Sequence, residues 1–481
     1  MLSHPRSLLA PACLVWLATV CFGSVLRAAE VRVDFARTNG VIRPLHGVNC
    51  GPLCYRGTVD LSAYHRELGV PFTRLHDTVW LNAEAVDIHT IFRDFRDDPA
   101  LPENYDFRQT DDYLQTIADV GSRLVYRLGE SIEHTPHKYY VNPPTDPEKW
   151  AAICVGIARH YTEGWAGGAR QPIAYWEIWN EPDVRPAMWT GTDEQFFRLF
   201  EVTAKALKAR FPEAKVGGPA VGGTGDFAGE TFTPTPFVTA FLSWCRDHHV
   251  PLDFFSWHRY TSDPWDLPRR AQAMRRVLDD FGFTKTESHL NEWNYLPRDD
   301  WQPLVKEGQG LPRQEWFAEM NGPAGAAFTA AALLLLLDAP VDVANYYTGE
   351  IQGFGLFDFN GVPKKTFHDF RAFRRLLDTP LRTAATVVGS SRVTAVAGVD
   401  AARREAGVTI SNLDPAADAL ALVLDGVPWA GATEYEVLAV DAGRDLGSVA
   451  HGQLAADQRL DLPRIRPPCV VLVRLGASAG R

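Results

Sequence analysis

Between residues 44 and 377, short runs rich in β-branched and aromatic residues alternate eight times with stretches of helical spacing; past residue 379 the helical spacing stops. Few folds accept that pattern. A strand–helix repeat lays its strands into a parallel sheet covered by helices, and eight repeats close that sheet into a (β/α)8 TIM barrel. The strands fall at residues 44–49, 71–77, 123–128, 175–181, 215–219, 251–258, 287–293 and 341–347. Helical stripes separate them, such as Tyr113, Ile117 and Val120, or Trp150, Cys154, Ile157 and Tyr161. Thr192 and Gln195 form a capping box ahead of the stripe Phe196, Phe200, Leu207, and Phe211-Pro212 ends that helix. Residues 324–337 are uncharged and apolar, but a span needs about 20 such residues, so a buried helix is expected and no stable membrane span in the mature chain.

Past residue 379 come short strands at 386–388, 393–396, 407–410, 420–424, 435–438 and 470–473, punctuated by Gly, Asp and Pro. They predict an antiparallel β-sandwich. Residues 31–35 alternate and have no helix after them, so they are assigned to the same sandwich. The expected division is a signal peptide over 1–29, a sandwich strand over 30–40, the catalytic barrel over 41–378 and the β-sandwich over 379–481. The leader has Arg6 before an apolar stretch at 8–25, and Ala28-Ala29 as the cleavage site. That places the mature protein outside the cytoplasm, secreted or periplasmic.

The 481 residues exceed one ordinary core, which suits a barrel with an accessory domain. A net charge of −11 argues against nucleic acid or an anionic membrane as partner. Beyond the leader the cysteines are Cys50, Cys54, Cys154, Cys245 and Cys469. Cys50 and Cys54 are close enough in sequence for a local disulfide, or they are two buried thiols. No Cys/His spacing resembles a zinc site, and no metal or cofactor is expected.

The chemistry concentrates at two strand ends. Tyr175-Trp176-Glu177-Ile178-Trp179-Asn180-Glu181-Pro182 runs as a strand until Pro182, which lacks an N–H and forces a turn. Glu181 therefore stands at the carboxyl end of strand four, and Glu292 holds the same place on strand seven. In a barrel, that rim carries the active site. Glycoside hydrolysis needs two carboxyl groups across the scissile bond, one protonated and one ionised. Glu177 is a rival acid on the same strand, or an interior charge paired with Arg74 or Arg127.

Trp176-Glu177-Ile178-Trp179-Asn180-Glu181-Pro182, Val216-Gly217-Gly218-Pro219, Trp257-His258-Arg259-Tyr260-Thr261-Ser262 and Asn291-Glu292-Trp293-Asn294 together resemble glycoside hydrolase family 39. Phe354-Gly355-Leu356-Phe357-Asp358 and Asn360-Gly361-Val362-Pro363-Lys364 are similar too. That family of barrel glycosidases includes β-xylosidases and α-L-iduronidases. The resemblance implies a retaining, exo-acting hydrolase of β-xylosidase type acting on carbohydrate. Glu181 would be the acid/base, Glu292 the nucleophile, Asn180 a partner of the sugar 2-hydroxyl, Tyr260 a donor to Glu292, and His258 part of the same wall. Asn291 departs from the pattern, where Thr is expected. The stretch 81–105 departs as well and shapes the glycone pocket, which leaves α-L-iduronidase-like or arabinosyl-releasing activity open. A non-catalytic sugar binder on a glycosidase barrel is the rival from another class. His46, His76 and Asp77, at the ends of strands one and two, either touch sugar or support the site. Trp293 and Trp179 either stack on sugar or pack in the core. Glu350 and Asn360, after strand eight, are weaker candidates.

Overall fold

The computed structural model describes residues 29–54, 57–78, 84–305, 310–454 and 458–478. The proposed leader lies outside the described residues, apart from Ala29.

Eight parallel strands form a closed barrel. In chain order they are Gly47–Asn49, Phe72–Leu75, Arg123–Leu128, Ile173–Ile178, Val216–Val221, Phe254–Thr261, Glu287–Tyr295 and Val343–Tyr346. The eighth pairs with the first through Asn345 with Gly47 and Tyr346 with Val48, which leaves no open edge. That seam is tight. A Cβ on Gly47 would stand 2.7 Å from the Ala344 carbonyl oxygen, so only glycine fits there. The capping box forms as expected, with Thr192 and Gln195 opening the helix Asp193–Arg210.

Alternating side chains stack in layers inside the barrel. The lowest layer is aromatic. Tyr175 meets Phe72 at 5.8 Å, Phe254 at 5.3 Å and His289 at 4.6 Å between ring centres. Above it lies a charged layer. Arg74 Nε donates to Glu177 Oε2 at 2.6 Å, and Asn291 Nδ2 donates to Glu177 Oε1. Glu177 is therefore a buried, paired carboxylate, which costs far less than a lone one. Of its two expected partners it takes Arg74; Arg127 pairs with Asp87.

The second region is a mostly antiparallel sheet of nine described strands. Ala29–Val41 runs antiparallel to Leu381–Val388 and parallel to Leu420–Asp425. Alternation splits the sheet into two apolar faces. Val437, Ala439, Val471 and Val473 join Val31 and Val33 in the region's own core. Leu438, Val440, Val470 and Leu472 turn the other way, onto Ala326, Ala327 and Ala330 of the helix Pro323–Leu336. This is the apolar segment singled out at 324–337. It is buried because the barrel covers one side and the sheet the other. Ser411 Oγ donates to the Ala327 carbonyl at 2.6 Å across that junction.

Two sheet strands, Asp445–Gln453 and Arg459–Asp461, escape sequence reading. The first contains Gly447, Ser448 and Gly452 and lies at the edge of the sheet, paired on one side only, where a strand needs little apolar character. All five described cysteines are buried and free. The Cys50 thiol donates to the His76 carbonyl.

Candidate active site

Strand four delivers its residues through a break in alternation. Glu177 points in and Ile178 points out, so Trp179 would point in. Instead Trp179 takes φ 70° and Glu181 φ 45°, left-handed conformations that are uncommon for non-glycine residues. Trp179 swings outward, packs on Trp150 and Trp189, and donates its Nε1 to the Met188 carbonyl at 2.9 Å. Asn180 and Glu181 are thereby left facing the barrel mouth. Such strain persists where the surrounding structure over-determines it. Here the Trp179 N–H is held by the Leu128 carbonyl and the Glu181 N–H by the Ala220 carbonyl, one from each neighbouring strand.

Strand seven uses a bulge. Trp257 pairs with Leu290 and His258 with Glu292, so Asn291 is the extra residue. A bulge re-aims the side chains around it. Asn291 and the adjacent Glu292 both enter the barrel, one towards Glu177 and the other towards the mouth.

Glu181 and Glu292 face each other there with His258 between them; one ligand atom from each of the three lies within 4.8 Å of the others. His258 Nδ1 is 2.8 Å from Glu181 Oε1 and 3.4 Å from Glu292 Oε2. Glu292 is held at both oxygens, by Arg74 Nη1 to Oε1 at 2.8 Å and by the Tyr260 hydroxyl to Oε2 at 2.9 Å. Arg74 Nη2 also donates to Asn180 Oδ1 at 2.6 Å, which leaves the Asn180 amide nitrogen buried without a protein partner. That N–H pair is open to an acceptor from the mouth.

The two carboxyls differ in electrostatics. Burial, then the nearby charges of Asp183 and Asp77, push Glu181 up to about 8 against the pull of Arg74. It holds its proton at neutral pH. Burial raises Glu292 too, but His258 and Arg74 oppose the shift. Burial lowers His258 to about 4, so its imidazole is neutral.

The other predicted residues divide. Asp77 reaches the mouth at φ 50°, with the Ile132 N–H on one carboxylate oxygen and the Tyr347 hydroxyl near the other at 3.3 Å. His76 is buried behind it, its Nε2 3.3 Å from Asp77 Oδ1. His46 is a correction. The first strand begins after it, so it lies at the opposite end of the barrel, bonded to the Leu68 carbonyl and packed on Phe370 and Phe373. Trp293 is a second correction. One residue beyond Glu292 the strand points outward, and the indole is fully buried against Tyr346. Glu350 is buried, raised to about 8 by that burial, and bonded by Gln352; Asn360 is exposed. Of the divergent stretch 81–105, residues 81–83 lie outside the described residues. The remainder places His89 against Glu130 at 2.5 Å and stacks its ring on Tyr140 at 3.5 Å.

Sequence reasoning used Arg74 only as a partner for Glu177. In the structure it binds Glu177, Glu292, Asn180 and Asn49 together. An arginine on an inward position of strand two was the available signal. Among the described residues two groups have the donors for a metal ion: Glu181, His258 and Glu292, and Asp87, His89 and Glu130. In the second, Asp87 already pairs with the Arg127 guanidinium and accepts the Ser131 N–H, so its charge is taken.

Two carboxyls brought together by strands four and seven at the carboxyl mouth of an eightfold barrel define a class, the (β/α)8 glycoside hydrolases. The chain belongs to glycosyl hydrolases family 39, whose sequence profile matches residues 29–410. A β-xylosidase of Geobacillus stearothermophilus is 26% identical over 264 residues, 50% of this chain and 48% of that protein. A β-xylosidase of Caldicellulosiruptor saccharolyticus is 24% identical over 348 residues, 64% of this chain and 63% of that one. The chain thus spans from about half to under two thirds of the length of these relatives. Among solved structures, a glucosidase from Croceicoccus marinus superposes with a TM-score of 0.77 at 22% identity, covering 94% of this chain and 100% of its own. A monomeric β-xylosidase from Caulobacter crescentus gives 0.70 at 17%, with coverage of 94% and 100%. At those identities the superpositions speak for the fold alone.

Proposed function

We propose that the chain is a retaining, exo-acting glycoside hydrolase of β-xylosidase type. One observation carries the reading: the Glu181 and Glu292 carboxyls approach to within 4.8 Å. Retaining enzymes hold the pair about 5–5.5 Å apart, whereas inverting enzymes leave about 6.5–9.5 Å for a water. Glu292 attacks the anomeric carbon as Glu181 gives its proton to the departing oxygen; the C–O bond breaks and a glycosyl ester forms on Glu292. Water then attacks that ester's anomeric carbon, Glu181 takes the water's proton, and Glu292 leaves as carboxylate.

The mouth favours a neutral glycone over a uronate. Arg74 and Arg127 are both engaged by carboxylates, and the Asp77 carboxyl stands at the same mouth. An anionic sugar finds no free arginine there among the described residues, which weighs against the α-L-iduronidase-like alternative. Secretion or periplasmic export is part of the proposal, carried by the leader; the amino-terminal residue of the exported protein tests it.

The decisive experiment is Glu292→Gly on aryl β-xylosides, with product stereochemistry followed by NMR. Hydrolysis should fall by at least about 10⁴-fold and azide should restore turnover as the inverted glycosyl azide. Ordinary hydrolysis by that variant removes Glu292 from the mechanism. A wild-type protein that binds xylosides yet cleaves none points to the non-catalytic reading.

A further inference from the structure

Two residues past the acid, Asp183 does something the catalytic scheme does not use. Its Oδ1 accepts the Gly222 N–H at 3.0 Å and its Oδ2 accepts the Gly223 N–H at 2.9 Å. Both oxygens are acceptors, the bonding of a carboxylate; burial raises this carboxyl's pKa, and the two glycine N–H groups oppose that rise. Gly222 follows the fifth barrel strand, so this clamp ties the loop after strand four to the loop after strand five.

Gly222 is also the wall of the acid. A Cβ there would stand 3.0 Å from Glu181 Oε1 and 2.8 Å from Val184 Cγ2, so the backbone comes as near to the carboxyl as a side-chain-free residue allows. Among the described residues the Glu181 side chain has one hydrogen bond, to His258. With so little direct restraint, its position depends on what encloses it.

We propose that Asp183 is a positioning residue for Glu181: it holds the Gly222-Gly223 backbone against the acid and sets a fixed negative charge on the same loop. This rests on Glu181 being the acid/base. The groups facing Glu181 are Asp183 from its own loop, Asp77 and Arg74 from strand two and its end, His258 and Tyr260 from strand six, and Glu292 from strand seven. Of the charged ones, Asp183 contributes most to keeping the proton on Glu181, after burial itself.

The test is Asp183→Asn, which keeps the shape and one acceptor but removes the charge. With aryl β-xylosides, the alkaline limb of kcat/KM should move to lower pH by about one unit. Activity should fall roughly 10- to 100-fold for phenyl leaving groups that need a proton and within about 3-fold for 2,4-dinitrophenyl, which does not. Equal losses for both leaving groups with the limb unmoved overturn the proposal, since mere loosening of the loop has that signature. If the variant fails to fold, Gly222→Ala crowds the acid with the charge in place. It should show the same leaving-group bias, and an equal loss again overturns the proposal. A third measurement needs no sugar: titration of the ¹³C-labelled Glu181 carboxyl in the free enzyme, assigned with Glu181→Gln. A midpoint lowered by Asp183→Asn in an enzyme that cleaves no xyloside leaves this inference standing while the substrate reading fails. An unchanged midpoint in an active enzyme does the reverse.

Discussion

Glu181 and Glu292 are the same amino acid within a few ångströms of each other, yet the chain surrounds them differently. Glu292 sits in a strand, 6% exposed at its side chain, with an arginine and a tyrosine hydroxyl as donors. Glu181 sits on a strained turn, 18% exposed, with one imidazole and two nearby negative charges. Donors favour the ionised form; burial beside carboxylates favours the acid. A division of chemical labour needs no difference in side chain, only a difference in which neighbours arrive from which strand.

The sharpest break of that comparison is Glu181→Ala. Cleavage of phenyl xylosides should fall about 10²- to 10⁴-fold, while formation of the glycosyl ester from dinitrophenyl xylosides should barely change. A pre-steady-state series of leaving groups separates the two, and uniform loss would mean Glu181 is not the acid. Arg74→Met should be nearly as severe in another currency. It strands Glu177 and Glu292 together, and loss of one partner from a buried pair costs about 3–5 kcal/mol, readable from denaturant melts. Tyr260→Phe is gentler, about 10-fold in kcat/KM. With one donor gone Glu292 protonates more readily, so the acid limb should move to higher pH while the alkaline limb stays in place.

The smallest effect is on stability. Glutamate ordinarily titrates at 4.5, and Glu181 in the fold at about 8. Between those values the folded chain holds a proton that the unfolded chain has released. The stabilisation is complete below 4.5 and is lost as pH rises towards 8. Glu181→Gln has no proton to lose. Its advantage over the parent should grow steadily across that window, seen as melting temperatures that diverge between pH 5 and pH 8.

Much of this was legible in sequence. Asn180-Glu181-Pro182 marks a strand end because proline cannot continue the ladder, and the eightfold alternation fixes which rim that end occupies. Parity was readable too: with Glu292 inward, Trp293 had to point outward, and its apolar face belonged to the core. What sequence does not carry is register. The bulge at Asn291 exists only relative to Trp257 and His258 on the next strand, and the turn at Trp179 only relative to Leu128 and Ala220. His46 was misplaced for the same reason. The strand opens at Gly47, where the closing seam demands a residue without a side chain, so His46 belongs to the floor. Asn291 departs from the expected threonine, and the Glu177 oxygen it binds shows what the longer amide reaches.

The strand Ala29–Val41 has a consequence for how the protein is made. It lies between segments beginning at Leu381 and Leu420, so its slot does not exist until the last quarter of the chain has been synthesised. At about 5–20 residues per second, the interval between Ala29 and Leu420 leaving the ribosome is on the order of 20 to 80 s. Until those segments exist Val31, Val33 and Phe35 have no partner strands. The first strand of the chain is thus among the last to be paired, whichever compartment the chain folds in.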